Sequence, residues 1–462
     1  MKYSITFQEK DYDQLVKHLF SDRLKERAAY ALCKISKTTD ENRLLVREII
    51  YVADEDIEDS SEVHMKIKSI SFLRAIKKAN DTKQSFVFIH SHPEGFINHS
   101  TQDDREEHSL FNTAYNRIRT NSIHGSLVLS SPDKPIGRIF LADGTFELMS
   151  MVRVIGEQFK FFSNEKDSKN IPEFFDRQIR AFGNDIQILL QKIHIAIVGA
   201  GGTGSAVAEQ LIRLGVGTLT IIDGQTFETT NINRVYGSKI DDDGIEKVKI
   251  IERLATNIGL GTKINAVNQP ITFQSVTNEL KNADIIFGCT DDQWGRSILT
   301  RMAVYYCIPV FDMGVKIDSK DGFIKSIEGR VTTLLGNYAC LFCRERINEK
   351  AILSESLAET DPEQLERLIK DGYANELDTP APSVISFTSS IASLAVTELL
   401  HRLTGFMGKE RISNEVLVFF DQSRIRTNRM LSKLDCFCGD PFYNMRGDTT
   451  PLLDTTWRDE KK

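Results

Sequence analysis

The chain has 462 residues and a formal net charge of -7, with 41% hydrophobic and 27% charged residues. That is too long for one ordinary core, and the composition is that of a soluble globular protein of two or three domains. With no lysine- or arginine-rich tract, nothing supports a nucleic-acid partner.

Met1-Lys2-Tyr3-Ser4-Ile5 leads into no long apolar run, so no secretory signal is expected. Tyr12 to Phe20 sets Leu15, Val16, Leu19 and Phe20 on one helical face. Ala28 to Ile35 and Leu44 to Val52 read as strands, the second rich in β-branched residues. Met65 to Ala79 reads as a helix and Ser85 to His90 as a buried strand. Ile123 to Leu129 and Ile136 to Leu141 are strands around the turn Ser131-Pro132-Asp133, and Glu147 to Phe162 completes a first domain, 1–160. The polar run Ser163 to Pro172 marks a linker, 161–172. From Lys192 strands and helices alternate through Ile193–Val198, Thr218–Ile222, Lys247–Ile258, Ile264–Asn268, Asp284–Phe287 and Pro309–Met313. That alternation predicts an α/β domain over 173–440 with a parallel, doubly wound sheet. Residues 441–462 read as a loose polar tail. The longest apolar stretches, such as Ile193 to Ala200, are too short to span a bilayer, so no membrane partner is expected and a cytoplasmic location follows by default.

In the first domain, Ile89-His90-Ser91-His92-Pro93 stands at the end of the buried strand, with Ser100 and Asp103 shortly after. Histidines at i and i+2 leave an extended segment on the same side, so both imidazoles can reach one ion. Asp103 can add an oxygen ligand, and three protein ligands leave a fourth zinc position open, the pattern of a catalytic site. A base must then accept a proton from water, and a carboxylate is the usual choice. These residues resemble the motif of the JAB/MPN metalloprotease family: His-x-His, seven residues, Ser, two residues, Asp. The resemblance implies a mixed β-sheet with helices, and zinc on His90, His92 and Asp103. It also implies Glu26 as general base and Ser100 as a holder of the scissile carbonyl. Glu48 and Glu94 compete with Glu26 for that role, and His99 is expected to be exposed.

In the second domain, Ile195-Ala196-Ile197-Val198-Gly199-Ala200-Gly201-Gly202-Thr203-Gly204 reads as strand, glycine turn and helix start. Such a turn brings backbone close to phosphate, and the helix N-terminus favours the anion. Asp223 ends the next strand and can hold a ribose hydroxyl, which alone would fit a dinucleotide enzyme. The following run, Phe227-Glu228-Thr229-Thr230-Asn231-Ile232-Asn233-Arg234 and then Gly244-Ile245-Glu246-Lys247, does not fit a dehydrogenase. It resembles the ThiF/MoeB family of activating enzymes. So do Phe175-Asp176-Arg177-Gln178-Ile179, Cys289-Thr290-Asp291-Asp292, and Thr379-Pro380-Ala381-Pro382-Ser383. The resemblance implies a Rossmann-like, mainly parallel sheet that binds ATP. Gly199, Gly201, Gly202 and Gly204 would form the phosphate loop, and Asp223 would hold the ribose. Asn231, Arg234 and Lys247 would contact phosphates, and Asp291 would bind Mg2+. It also implies a homodimer in which Arg177 reaches the neighbouring subunit's nucleotide. The Gly244 spacing favours Lys247 over Lys249, and Arg180 lies near Arg177.

Seven cysteines in a chain of cytosolic character point to metal or free thiols. Cys340 and Cys343 form one close pair, Cys436 and Cys438 another, a strong four-thiolate zinc signal that also resembles the family's structural zinc site. The second pair is one residue tighter than usual. Cys33, Cys289 and Cys307 sit in apolar surroundings and read as packed. No cysteine lies between Cys343 and Cys436, where the family's thioester nucleophile usually stands. Together the resemblances imply a bifunctional enzyme acting on a ubiquitin-like or sulfur-carrier protein with a C-terminal glycine. The first domain would trim or deconjugate it, and the second would adenylate its carboxylate without the usual thioester. A conjugating enzyme is a further possible partner. Sulfur-carrier activation in biosynthesis and a nucleotide-binding scaffold with an idle hydrolase are the alternatives.

Overall fold

A computed structural model describes the chain except at residues 23, 62–63, 94, 120–122, 142, 165–170, 375–381, 409–410 and 459–462. Glu94, half of the expected linker, Thr379-Pro380-Ala381 and the last residues of the expected tail lie outside the described residues. The chain forms two compact units, one of Met1–Lys166 with Met445–Asp448, the other of Asp167–Asn444 with Thr449–Lys462.

The first unit has strands β1 (Lys2–Gln8), β2 (Ala28–Lys37), β3 (Glu41–Tyr51), β4 (Ile57–Ser60), β5 (Met65–Ile67), β6 (Ser85–Ser91), β7 (His124–Leu129), β8 (Pro135–Phe140), β9 (Phe146–Leu148), β10 (Met151–Ile155) and β11 (Phe159–Ser163). Its helices are α1 (Glu9–Leu19), α2 (Ser69–Asp81) and α3 (Thr101–Arg117). Nine strands make one mixed sheet, ordered β11-β10-β1-β3-β2-β6-β7-β8-β9. Side chains alternate across a strand, so both faces of β2 can be apolar and both are covered. Ala29, Ala31 and Cys33 join Tyr12, Leu15 and Leu19 of α1 in one core. Ala28, Tyr30 and Leu32 join Ala75, Ile76 and Ala79 of α2 and Phe111 and Ala114 of α3 in the other. The sequence expectation of one helix over Met65–Ala79 is corrected. Met65-Lys66-Ile67 alternates with period two and pairs with β4, and the helix starts only at Ser69.

The second unit has helices α4 (Asp176–Phe182), α5 (Asn184–Lys192), α6 (Gly202–Leu214), α7 (Lys247–Ile258), α8 (Gln274–Leu280), α9 (Gln293–Tyr306), α10 (Glu349–Thr360), α11 (Pro362–Lys370) and α12 (Ile385–Thr404). Its strands are β12 (His194–Val198), β13 (Thr218–Ile222), β14 (Lys263–Val267), β15 (Ile285–Gly288), β16 (Val310–Lys320), β17 (Phe323–Leu334), β18 (Glu415–Phe419) and β19 (Arg424–Asn428). They form one sheet in the order β14-β13-β12-β15-β16-β17-β18-β19. The first five are parallel, but β17, β18 and β19 are added antiparallel, so the sheet is not parallel throughout. Asp321 and Gly322, both at positive φ, close the β16–β17 hairpin. The strand order reverses between β12 and β15, the kind of switch point at which open α/β sheets form a crevice at the carboxyl ends of their strands.

Two expected boundaries move. β11 runs to Ser163, into the stretch read as linker. The stretch read as a loose tail is packed: Met445, Leu452 and Leu453 are buried, and Tyr305 Oη donates to Asp454 Oδ2 at 3.0 Å. Its few apolar residues suffice to anchor it. Among the described residues, no helix is long and apolar enough to cross a membrane.

Candidate functional site

In the first unit His90 is the last residue but one of β6 and His92 lies just past its end, two residues on, so both rings leave the same face. Their Nε2 atoms are 3.1 Å apart. Ala28 pairs with His90 across β2 and β6, which brings Glu26, two residues earlier, opposite His92. Glu26 Oε1 is 3.8 Å from His92 Nε2. Register therefore joins a carboxylate and a histidine far apart in sequence. Asp103 arrives on the first turn of α3. Ser100 caps that helix: its Oγ accepts the Asp103 N–H at 3.1 Å, and Asp103 Oδ2 accepts the Ser100 N–H at 2.5 Å. The capped turn aims Asp103 Oδ1 at His90 Nε2, 3.2 Å away, and Oδ2 at His92 Nε2, 3.5 Å away.

The donor set fits zinc in kind and number. One donor atom from each of His90, His92 and Asp103 lies within 4.8 Å of the others. His92 Nδ1 lies 3.1 Å from the Phe96 carbonyl oxygen; as the donor there, it leaves Nε2 free to bind. Burial pushes Glu26 up to about 6, partly offset by the nearby His90 and His92 charges. Burial would also raise Asp103, but its bonds with His90 and His92 hold it far below the usual carboxylate range. Glu48 is elsewhere, half-buried and paired with Lys78. His99, expected to be exposed, is half-buried, with Nε2 3.0 Å from Ser126 Oγ. Burial and the Arg138 charge push it down to about 2. Sequence reading missed Glu107, Ser126 and Arg138 beneath this cluster; the helical spacing of Asp103 and Glu107 was the available signal.

In the second unit the glycine turn follows β12. Gly199 has φ +97, and a Cβ on Gly204 would lie 1.8 Å from the Gly199 oxygen, so both need glycine for the fold alone. A Cβ on Gly201 would meet open space. Nothing in the protein demands glycine there, which suits a loop that backs onto a ligand. Asp223, just beyond β13, accepts the Ala200 N–H at 2.7 Å on Oδ2 and the Gln225 N–H at 2.8 Å on Oδ1. Arg234 lies against the loop, its side-chain carbons 3.3 Å from where a Gly202 Cβ would stand. Its Nη1 donates to Thr230 O at 2.7 Å. Asn231 is buried just before it. Lys247 is 8% exposed and donates through Nζ to Gln225 Oε1 at 2.6 Å, whereas Lys249 is exposed and pairs with Glu252. Asp291 and Asp292 also divide. Asp292 caps α9, accepting the Gly295 N–H, while Asp291 stays exposed beyond β15. Arg177 is exposed on α4, and its neighbour Arg180 takes the Asp176 ion pair at 2.8 Å. The charged segment after Cys343 contributes Glu355 of α10. That carboxylate accepts the Gln293 and Trp294 N–H groups at the start of α9, at 3.0 and 2.7 Å.

The four cysteine sulfurs converge. Sγ separations are 3.5 Å for Cys340–Cys436, Cys343–Cys438 and Cys436–Cys438, and 3.9 Å for Cys340–Cys343. A tetrahedral zinc with Zn–S bonds of about 2.3 Å needs sulfurs roughly 3.8 Å apart, so the set fits. The tighter Cys436–Cys438 spacing is accommodated by a short helical turn at Phe437–Gly439. Burial pushes the Cys33 and Cys289 thiols up, away from reactivity.

A family model described as the ThiF family matches residues 175–438. "Ubiquitin-like modifier-activating enzyme 5" of Drosophila persimilis is 28% identical over 175 residues, 35% of this chain and 45% of that protein. The Culex quinquefasciatus protein of the same name is 26% identical over 234 residues, 45% of this chain and 57% of that protein. "Adenylyltransferase and sulfurtransferase MOCS3" of Dictyostelium discoideum is 26% identical over 189 residues, 40% of this chain and 42% of that protein. The chain thus spans about half the length of these curated relatives. Among solved structures, Microcin C7 biosynthetic enzyme MccB in complex with N-formylated MccA is 14% identical with a TM-score of 0.46, over 89% of this chain and 100% of that one.

Proposed function

The chain belongs to the ThiF family, and from that premise we propose that its second unit adenylates the C-terminal glycine carboxylate of a ubiquitin-like or sulfur-carrier protein. One observation carries this reading: the glycine turn, Asp223, Arg234, Lys247 and Asp291 gather at the carboxyl ends of β12, β13 and β15. A carboxylate oxygen of the carrier attacks the α-phosphorus of ATP. The bond to the bridging oxygen breaks, and pyrophosphate leaves with that electron pair. The protein's task is to position the reactants and offset charge. Asp223 holds the ribose, and the glycine turn with Asn231, Arg234 and Lys247 faces the phosphates. Magnesium held at Asp291 would neutralise the pyrophosphate. Arg177, exposed on α4, would act across a homodimer. The names of the curated relatives support this carrier class, and the sulfurtransferase among them keeps sulfur-carrier activation in view. With no cysteine between Cys343 and Cys436, the acyl-adenylate would pass on without a thioester there.

The first unit we read as a JAB/MPN-type zinc hydrolase that trims or deconjugates the same carrier. His90, His92 and Asp103 would hold a zinc ion, whose chemistry there would be to acidify a water and polarise a carbonyl. Glu26 takes the water proton and delivers it to the leaving amine, and Ser100 donates its hydroxyl proton toward the scissile carbonyl oxygen. ATP–pyrophosphate exchange tests the adenylating half. Exchange should require a carrier ending in glycine; ATP binding with no exchange for any carrier would favour a nucleotide-binding scaffold.

A further inference from the structure

Beneath the His90–His92–Asp103 cluster lies a carboxylate with no part in the chemistry above. Glu107 follows Asp103 by one turn of α3, so both face the sheet. It is 1% exposed, a depth at which a carboxylate stands only when held. Arg138, 2% exposed, donates Nε at 3.0 Å and Nη2 at 2.9 Å to Glu107 Oε2. Ser126 Oγ donates to the same oxygen at 2.6 Å. Ser126 pairs with Phe88 of β6 on one side and Arg138 of β8 on the other, so the anchors form one row across the sheet. Three donors converge on Oε2, while Oε1 is buried without a partner.

A second buried atom is also unpartnered: His90 Nδ1. The other ring nitrogen of His90 faces His92 and Asp103. The His90 ring centroid is 6.4 Å from that of His99, whose Nε2 lies 3.0 Å from Ser126 Oγ, the donor to Glu107 Oε2. A histidine that binds metal through Nε2 carries its proton on Nδ1, and that N–H then requires an acceptor, commonly a carboxylate.

We propose that Glu107 is a positioning residue for the metal cluster: once metal occupies His90 Nε2, Glu107 Oε1 accepts the His90 Nδ1–H, while Arg138 and Ser126 hold the carboxylate in place. The inference rests on the zinc reading of His90, His92 and Asp103. It adds what fixes the tautomer and aim of one ligand.

Glu107→Gln is the informative variant. Its amide oxygen keeps Arg138 and Ser126 satisfied, and its NH2 then faces Nδ1 and drives the His90 proton onto Nε2, where it blocks metal. The measurement is zinc stoichiometry and chelator competition on the full chain. The unaltered protein should hold two zinc ions, and His90→Ala/His92→Ala one. Glu107→Gln should weaken only the histidine site, by roughly 10- to 100-fold, with the four-cysteine zinc retained. Long-range 1H–15N spectra of the zinc-loaded protein should show His90 protonated on Nδ1. Unchanged zinc affinity in Glu107→Gln overturns the proposal. A single zinc in the unaltered protein, unaffected by the histidine changes, overturns the zinc reading beneath it instead. Should Glu107→Gln lose the four-cysteine zinc as well, Ser126→Ala decides. Removing one anchor should weaken the histidine site by several-fold, and no change there overturns the proposal.

Discussion

Lys247 and Lys249 sit two residues apart at the start of α7, yet their environments divide them. Lys247 turns inward to Gln225, beside the loop that Asp223 organises, and Lys249 pairs with Glu252 in solvent. Lys247→Ala should lower ATP–pyrophosphate exchange by about 10²-fold or more, while Lys249→Ala stays within about twofold. Glu26 admits a similarly sharp test. Burial lifts its carboxyl to about 6, and a general base must be ionised to accept a proton. Hydrolysis of a carrier fusion should therefore rise with pH through about 6 to a plateau and fall away below it. Glu26→Gln should retain zinc and lose about 10² to 10⁴ in rate. Loss of zinc together with rate would assign Glu26 to metal binding.

At the scale of elements, two helix starts are held by carboxylates that accept their free amide protons. The α3 capping box both begins the helix and aims Asp103, so Ser100 has a structural duty beside the chemical one proposed for it. Ser100→Ala should cost about 1 kcal/mol of stability through the lost cap. Turnover should fall by more than the change in folded fraction explains, when melting curves are set against kcat. Asp292 caps α9, and Glu355 from α10 takes two more of its amide protons. Glu355→Ala should loosen α10, read as faster cleavage of the segment after Cys343 in limited proteolysis. Equal cleavage rates would refute a tie between α10 and α9.

At the scale of the molecule, the two sites stand in separate units, each built on its own sheet. His90→Ala/His92→Ala should abolish hydrolysis and leave ATP–pyrophosphate exchange intact. Cys343→Ser should instead lower the melting temperature of the second unit, because a closed four-thiolate site contributes folding energy. Motifs whose residues lie close together were legible in the sequence: His90, His92, Ser100 and Asp103, the glycine turn, and each cysteine pair. Short spacing on a strand or turn sets relative position by local geometry alone. The parallel strands were legible too, through apolar runs alternating with helical periods. Tertiary structure alone decided what depends on register and burial. It placed Glu26 opposite His92 through the β2–β6 pairing and made Asp292 a cap while Asp291 stayed exposed. It turned β17 to β19 antiparallel and packed Leu452 and Leu453 out of an apparent tail. It also seated Glu107 on Arg138, a buried pair that neither residue's neighbours in the chain announce. Local spacing is written along the chain, whereas register, burial and charge pairing exist only once distant segments meet.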